Sequence, residues 1–272
     1  MNNGADESNA DAPFAQVSIT RWRDGRLEQT DDLVIREARI GLYVNGDPVV
    51  HLMCLAAELD ALAVGFLISE GILRDVSDLR SVDVDLETGR IVCVADVDER
   101  ALADRRANWT LGTGCGGGGV GTDPNEPAEC RRINTRVRFG ARALSDAGEE
   151  LNRSSQLFRK TGGVHSAAIC DSAGTILTRA DDVGRHNAFD KAVGMALLRK
   201  ERVDDKAVLS TGRICAAVAS KAIRHKIPLI ASRSAPTVRA LWLADRYGVS
   251  VIGFQRAGRM NVYTCPERVT EC

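Results

Sequence analysis

The sequence predicts a mixed α/β fold: a small α+β unit followed by a layered domain whose sheet contains parallel strand pairs. Three observations carry this expectation. The second half of the chain alternates strand-like and helix-like segments, the order that builds parallel pairs flanked by helices. The first half instead sets short strand-like runs around tight-turn signals. Between the halves lies a glycine-rich stretch that suits neither element. At 272 residues, with 44% hydrophobic and 27% charged side chains, the chain is long enough for two modest domains with ordinary cores.

Residues 1–14 are polar and acidic and read as a disordered tail. Residues 15–110 are the expected N-terminal domain. Strands are expected between Val17 and Val50, with a tight turn at Asn45–Gly46. Leu55, Leu59, Leu62 and Phe66 then recur at helical spacing, and Gly71 is placed to stop that helix. "VDVDLETGRIVCVAD" reads as a further hairpin. Residues 111–130 hold the glycine-rich cysteine loop, and 131–272 form the second domain. There "SDAGEELNRSSQLFRK" reads as one helix with Ser145 as its N-cap. Strands at "VHSAAICD", "TILTRA", "KAVLST", "PLIAS" and "SVIGF" alternate with helices at "GRHNAFDKAVGMALLRK", "RICAAVASKAIRHK" and "PTVRALWLADRYG".

Composition removes several function classes. The formal net charge is −1, so the global basic footprint of a nucleic-acid binder is absent. The N-terminus lacks the basic and apolar regions of a secretory signal. The most apolar segment, around "DALAVGFLIS", is too short to span a bilayer. The expectation is a cytoplasmic protein with neither a nucleic-acid nor a membrane partner. Eight scattered cysteines include no C-x-x-C pair and no zinc-finger spacing. Cys93, Cys170 and Cys215 lie in apolar runs and read as small core residues.

Cys115 stands apart, because seven of the ten residues from Gly112 to Gly121 are glycine. Ordering such a run costs backbone entropy and adds no packing. A thiol on a mobile arm suits a carrier that takes sulfur as a persulfide and presents it elsewhere; a linker with an incidental cysteine has the same local sequence.

In alternating sheets, ligands bind beyond the strands' carboxyl ends. Five polar turns are expected there: Thr161–Gly163, Asp181–Asn187, Ser210–Arg213, Ser232–Thr237 and Phe254–Asn261. Glycines in such turns open the backbone to phosphate, and arginines grip its oxygens. Arg185, Arg213, Arg256 and Arg259 would make a local cationic site for a phosphate-rich nucleotide or cofactor. His186 and Asp190, four apart, share a helix face. They and Asn187 serve either as ligands to a base or sugar, or as a local brace in which Asp190 holds His186. A zinc deaminase needs H-x-E and P-C-x-x-C motifs; here Ala167 stands where the glutamate belongs and the cysteine pair is missing.

Taken together, "TGGVHSAAI", "DDVGRHNAFDKAVG", "LSTGR", "IPLIASRSAPTVRALWLAD" and "VIGFQRAGRMNVYT" resemble the FdhD/NarQ family, the formate dehydrogenase accessory sulfurtransferases. "ELDALAVGFLISEGIL" resembles the family's helix before its cysteine loop. The resemblance runs from about residue 30 to 265. It implies a small N-terminal α+β domain and a cytidine-deaminase-like, three-layer C-terminal domain without zinc, assembled as a homodimer. It implies that sulfur passes from a cysteine desulfurase, through a persulfide on Cys115, to the molybdenum (or tungsten) bis-molybdopterin guanine dinucleotide cofactor, for delivery to the formate dehydrogenase catalytic subunit. The stretch Phe254, Gln255, Arg256, Ala257, Gly258 and Arg259 matches the family's cofactor-binding segment. Thr161, Gly162, His165, Arg185, His186, Asn187, Asp190, Arg213, Ser234, Pro236 and Thr237 are the further candidates for that site. Many members carry a second loop cysteine, where this chain has Gly118. A chaperone that only holds the cofactor and docks the apo-enzyme is the alternative.

Overall fold

The computed structural model describes residues 12–97, 127 and 129–271. Residues 1–11 of the expected tail and 111–126 and 128 of the expected cysteine loop, with Cys115, therefore lie outside the described residues, and the strand pattern already begins at Phe14.

The chain opens with a two-stranded antiparallel ribbon, β1 (Phe14–Arg23) and β2 (Arg26–Ile35), whose tip exposes Trp22 and Leu27. The N-terminal sheet follows. It contains β3 (Ala38–Val44), β4 (Asp47–Cys54), β5 (Leu79–Asp85) and β6 (Arg90–Ala95) in the order β4-β3-β6-β5. Asn45 and Gly46 form the expected β3–β4 turn, both with positive φ as such a hairpin needs.

Helix α1 (Leu59–Ser69) is buried all round, which tells that both of its sides are covered. Leu55, expected in this helix, lies before it. Its N–H donates to Asp182 Oδ2 at 3.0 Å and its carbonyl accepts from Lys191 Nζ at 2.9 Å. Those bonds to the second domain take the backbone groups that an earlier helix start would have used.

The C-terminal sheet has six strands in the order β13-β12-β11-β10-β8-β9. They are β8 (His165–Cys170), β9 (Ile176–Asp182), β10 (Ala207–Ser210), β11 (Leu229–Ser232), β12 (Ser250–Arg256) and β13 (Arg259–Val262). β10, β11 and β12 are parallel, as the alternation predicts, while β8 and β13 run antiparallel to their neighbours. β7 (Phe139–Gly140) pairs with β14 (Val269–Thr270) and ties the two ends of this domain together.

One sheet face packs Leu144, Ala147 and Leu151 of α2 (Ala141–Ser154). The other packs α4 (Arg185–Leu198), α5 (Ala216–Arg224) and α6 (Val238–Tyr247) through Phe189, Val193, Val218 and Leu243. This is the three-layer arrangement expected.

Two expectations for the first helix of this domain change. The run reads as two helices, because Ser155 interrupts it and its Oγ accepts from Phe158 N at 3.0 Å, capping α3 (Gln156–Thr161). Ser145 is not an N-cap, since α2 begins after Gly140. Its hydroxyl instead accepts from Gly258 N at 3.3 Å, bracing the β12–β13 turn against the helix.

α1 crosses α4 with the backbones touching. A Cβ on Gly65 would lie 1.9 Å from Asp190 O, and one on Gly194 would lie 1.9 Å from Ala61 O. Two glycines, one on each helix, permit this approach.

Candidate functional site at the carboxyl edge of the sheet

β8 is antiparallel to β10, so its start lies on the same edge as the ends of β9, β10, β11 and β12. All five polar turns therefore meet on one edge, as their positions in the sequence predict. Two hollows open there. The larger, about 510 Å³, is lined by Phe158, Gly162, Gly163, His165, Thr211 and Arg233, among others. A smaller one of about 200 Å³ shares Asn152 and Arg233 with it and adds Arg153, Gln255 and Arg256.

Arg233 is not singled out by the sequence, although it sits inside the Ser232–Thr237 turn; it is exposed and belongs to both hollows. Arg256 reaches it, donating from Nη1 to Arg233 O at 2.5 Å. Arg213 and Arg259 are exposed on the same edge, outside the lining of both hollows.

Phe254 is the strained residue of the edge. Its φ is 54°, a left-handed conformation that costs a side-chain-bearing residue about 1–2 kcal/mol. Its ring is nevertheless partly exposed, so packing is not what maintains it. The support comes from behind. The β12–β13 register slips between Gly253 and Arg256, Phe254 N donates to Ser234 O at 3.1 Å, and Pro236 Cδ lies 2.8 Å from where a Gly253 Cβ would be. Ser234 and Pro236 thus hold the turn. The strained, partly exposed ring directly precedes Gln255 and Arg256, which line the smaller hollow.

The other candidates divide by burial. Gly162 ends α3 with φ 65°, and Thr161 braces that end, donating to Leu157 O at 2.8 Å. Thr237 caps α6 by accepting from Ala240 N at 3.3 Å. Gln255 is buried, donating to Leu144 O at 2.6 Å. Ala257 and Gly258 form the exposed β12–β13 turn.

Asn187 and Asp190 do not face the edge. Asn187 Nδ2 donates to Met53 O at 2.9 Å, and Asp190 is fully buried between Ser69 Oγ at 2.6 Å and Lys221 Nζ at 2.5 Å. The proposed Asp190–His186 brace does not form, because Ser69 of α1 and Lys221 of α5 take the two carboxylate oxygens. His186 Nε2 instead lies 3.3 Å from Cys215 Sγ. Burial first, then the charges of Lys221 and Arg185, pushes the His186 imidazole down to about 3. Burial and Arg185 likewise lower His165, whose Nδ1 lies 3.4 Å from Thr211 Oγ1.

Cys93 and Cys170 are buried core thiols, pushed up to about 12 by burial. Cys215, also expected in the core, is instead half-buried at the start of α5, with Arg185 Nη2 3.9 Å from its sulfur. Its spacing, two residues beyond the "STGR" turn, is the sequence signal that separates it from a core cysteine. Among the described residues no group of three or more His, Cys, Asp or Glu side chains could hold a metal ion, and no helix is long and apolar enough to cross a membrane.

With this geometry in view, comparison with known proteins gives one consistent answer. The chain is 36% identical over 257 residues to the sulfur carrier protein FdhD of Wolinella succinogenes, covering 93% of this chain and 88% of that one. It is 31% identical over 265 residues to the protein of the same name from Bacillus subtilis, covering 96% and 99%. The crystal structure of a candidate formate dehydrogenase accessory protein from Desulfotalea psychrophila superposes with a TM-score of 0.78 at 25% identity, over 95% of this chain and all of that one. The FdhD/NarQ family model matches residues 35–270, a span that contains both sheets and all five turns of the edge, and the chain belongs to that family.

Proposed function

We propose that this protein is a sulfur carrier in the maturation of formate dehydrogenase. One observation carries the reading: five polar turns meet on a single sheet edge, over hollows whose volume and arginines suit a phosphate-bearing nucleotide. The relatives named sulfur carriers supply the context.

On this reading a cysteine desulfurase hands sulfur to Cys115 as a persulfide. The glycines around Cys115 give it reach. The acceptor is the molybdenum bis-molybdopterin guanine dinucleotide cofactor, a substrate here, bound along the sheet edge. Arg233 and Arg256 grip its diphosphate, and the Phe254 ring offers a face on which guanine stacks. The loaded cofactor then passes to the formate dehydrogenase catalytic subunit, with the carrier acting as a homodimer in the cytoplasm.

Gly118, in place of a second loop cysteine, favours the alternative of a chaperone without sulfur chemistry, and one experiment separates the two. Intact mass is measured after incubation with a cysteine desulfurase and cysteine, for wild type and Cys115→Ala, with GDP affinity measured alongside. Gain of sulfur that depends on Cys115, with GDP affinity unchanged in the variant, is expected. GDP binding without any sulfur gain would leave the chaperone.

A further inference from the structure

We infer that Cys215 is a second sulfur-bearing thiol, which accepts the outer sulfur of a persulfide donor and holds the product against Arg185 and His186. The inference rests on the sulfur-carrier reading above and names a site beyond Cys115.

The first support is the environment of the sulfur. Cys215 occupies the N-cap position of α5, but its side chain makes no capping hydrogen bond, so the thiol is not consumed in holding the helix. It is partly exposed, with an imidazole nitrogen at 3.3 Å and a guanidinium nitrogen at 3.9 Å. His186, held well below its usual range, stays neutral at physiological pH. Its Nε2 either accepts the S–H hydrogen bond or, in the other tautomer, donates to an anionic sulfur.

The second support is independent of the cysteine. Arg185 is only 8% exposed, its Nε has no hydrogen-bond partner, and it joins no ion pair among the described residues. Burying a guanidinium without an anion is costly. Gly212 makes the room for it, since a Cβ there would lie 2.7 Å from Arg185 Cβ. The missing anion fits a persulfide: the outer sulfur lies about 2.05 Å beyond Sγ, carries the negative charge, and extends from the atom that Arg185 already approaches. His165 and Thr211 line the larger hollow, and Arg185 packs against Gly212, the residue after Thr211, which brings the Arg185 side chain next to that wall.

The chemistry balances without a further reagent. The Cys215 thiolate attacks the outer sulfur of a donor R–S–SH. The donor S–S bond breaks, a new S–S bond forms at Cys215, and the leaving R–S⁻ takes up the proton of the transferred sulfur, which remains as the Cys215 persulfide anion beside Arg185. The sulfur moves at unchanged oxidation level.

The test exposes the full-length protein to glutathione persulfide and maps sulfur gain by peptide mass, in wild type, Cys115→Ala, Cys215→Ser, Arg185→Ala and Arg185→Lys. The expected result is that Cys115→Ala still gains one sulfur on the Cys215 peptide and Cys215→Ser gains none there. Arg185→Ala should lower occupancy at Cys215 roughly tenfold, as for the loss of one charged hydrogen-bond partner, and Arg185→Lys should retain most of it. Sulfur on Cys115 with none on Cys215 would overturn the inference and leave the carrier reading standing. Equal occupancy in Arg185→Ala would overturn the site as assigned. Sulfur on Cys215 from this donor, with none on Cys115 from a desulfurase, would sink the carrier reading through Cys115 and uphold the second thiol.

Discussion

Helix α4 takes part in two regions built on opposite terms. Along its length it meets α1 with backbone against backbone at Gly65 and Gly194, and two buried ion pairs lie there. Lys221 pairs with Asp190 at 2.5 Å, and Lys191 with Asp182 at 2.7 Å, all four essentially buried. At its N-terminus, on the sheet edge, Arg185 is buried without a carboxylate, the Arg233 side chain is exposed, and Phe254 sits in a strained turn. The first region spends its polar groups on each other. The second keeps them for something outside the chain.

The sharpest way to break this contrast is to remove one buried partner from the first region. Lys221→Met leaves Asp190 buried beside Ser69 with no counter-charge, and a loss of about 3–5 kcal/mol in urea unfolding is expected. A loss under about 1 kcal/mol would show that Asp190 does not stay as an unpaired buried charge, being hydrated or protonated instead. Gly194→Ala comes next. Its Cβ would overlap Ala61 O, so α1 and α4 must part. A net loss of about 1–3 kcal/mol is expected, after subtracting the gain that alanine brings to a helix interior.

The same region sets an acid limit. His225 is buried, with Nε2 3.0 Å from Ser69 Oγ, and burial followed by the charge of Lys221 holds it down at about 3. The unfolded chain takes up this proton near pH 6.5 and the folded one does not. The stabilisation is therefore complete above about 6.5 and drains as pH falls toward 3, by about 1.4 kcal/mol per pH unit. Asp190, raised by burial, offsets part of this by protonating more readily in the fold. His225→Gln should make the stability–pH profile less steep over that window, His186 supplying what slope remains, measured by urea midpoints from pH 7 to 4; an unchanged slope would place the proton elsewhere.

How legible this contrast is in the sequence depends on the face in question. The alternation that predicts the parallel strands also predicts the edge where the turns meet, because strand direction alone fixes which ends coincide. The motif Asp181–Lys191 is where reading fails. Its polar residues look like one ligand set, yet Asp182, Asn187, Asp190 and Lys191 turn toward the N-terminal domain, while Arg185 and His186 face Cys215. No apolar stripe marks the division, because α4 is buried on nearly every side and such a helix has no amphipathic signature. For the same reason Leu55, spaced like a helical residue, serves the domain contact instead. Arg233 goes unseen for a different reason: a turn arginine carries no periodicity, and only the shape of the two hollows singles it out.

The smallest stability effect belongs to the second region and tests it most directly. Phe254→Gly removes an exposed ring and relieves a left-handed φ, while adding the entropy cost of a glycine. These nearly cancel, so unfolding stability should change by less than about 1 kcal/mol. GDP affinity, measured by calorimetry, should still fall roughly tenfold with the loss of one stacking face. Phe254→Ala separates the two effects: it loses the ring but keeps the strain, and should bind GDP as weakly as the glycine variant while being the less stable of the two. If both variants bind GDP like wild type, the strain at Phe254 serves the shape of the turn and not the ligand. The contrast between the two regions would then rest on the arginines alone.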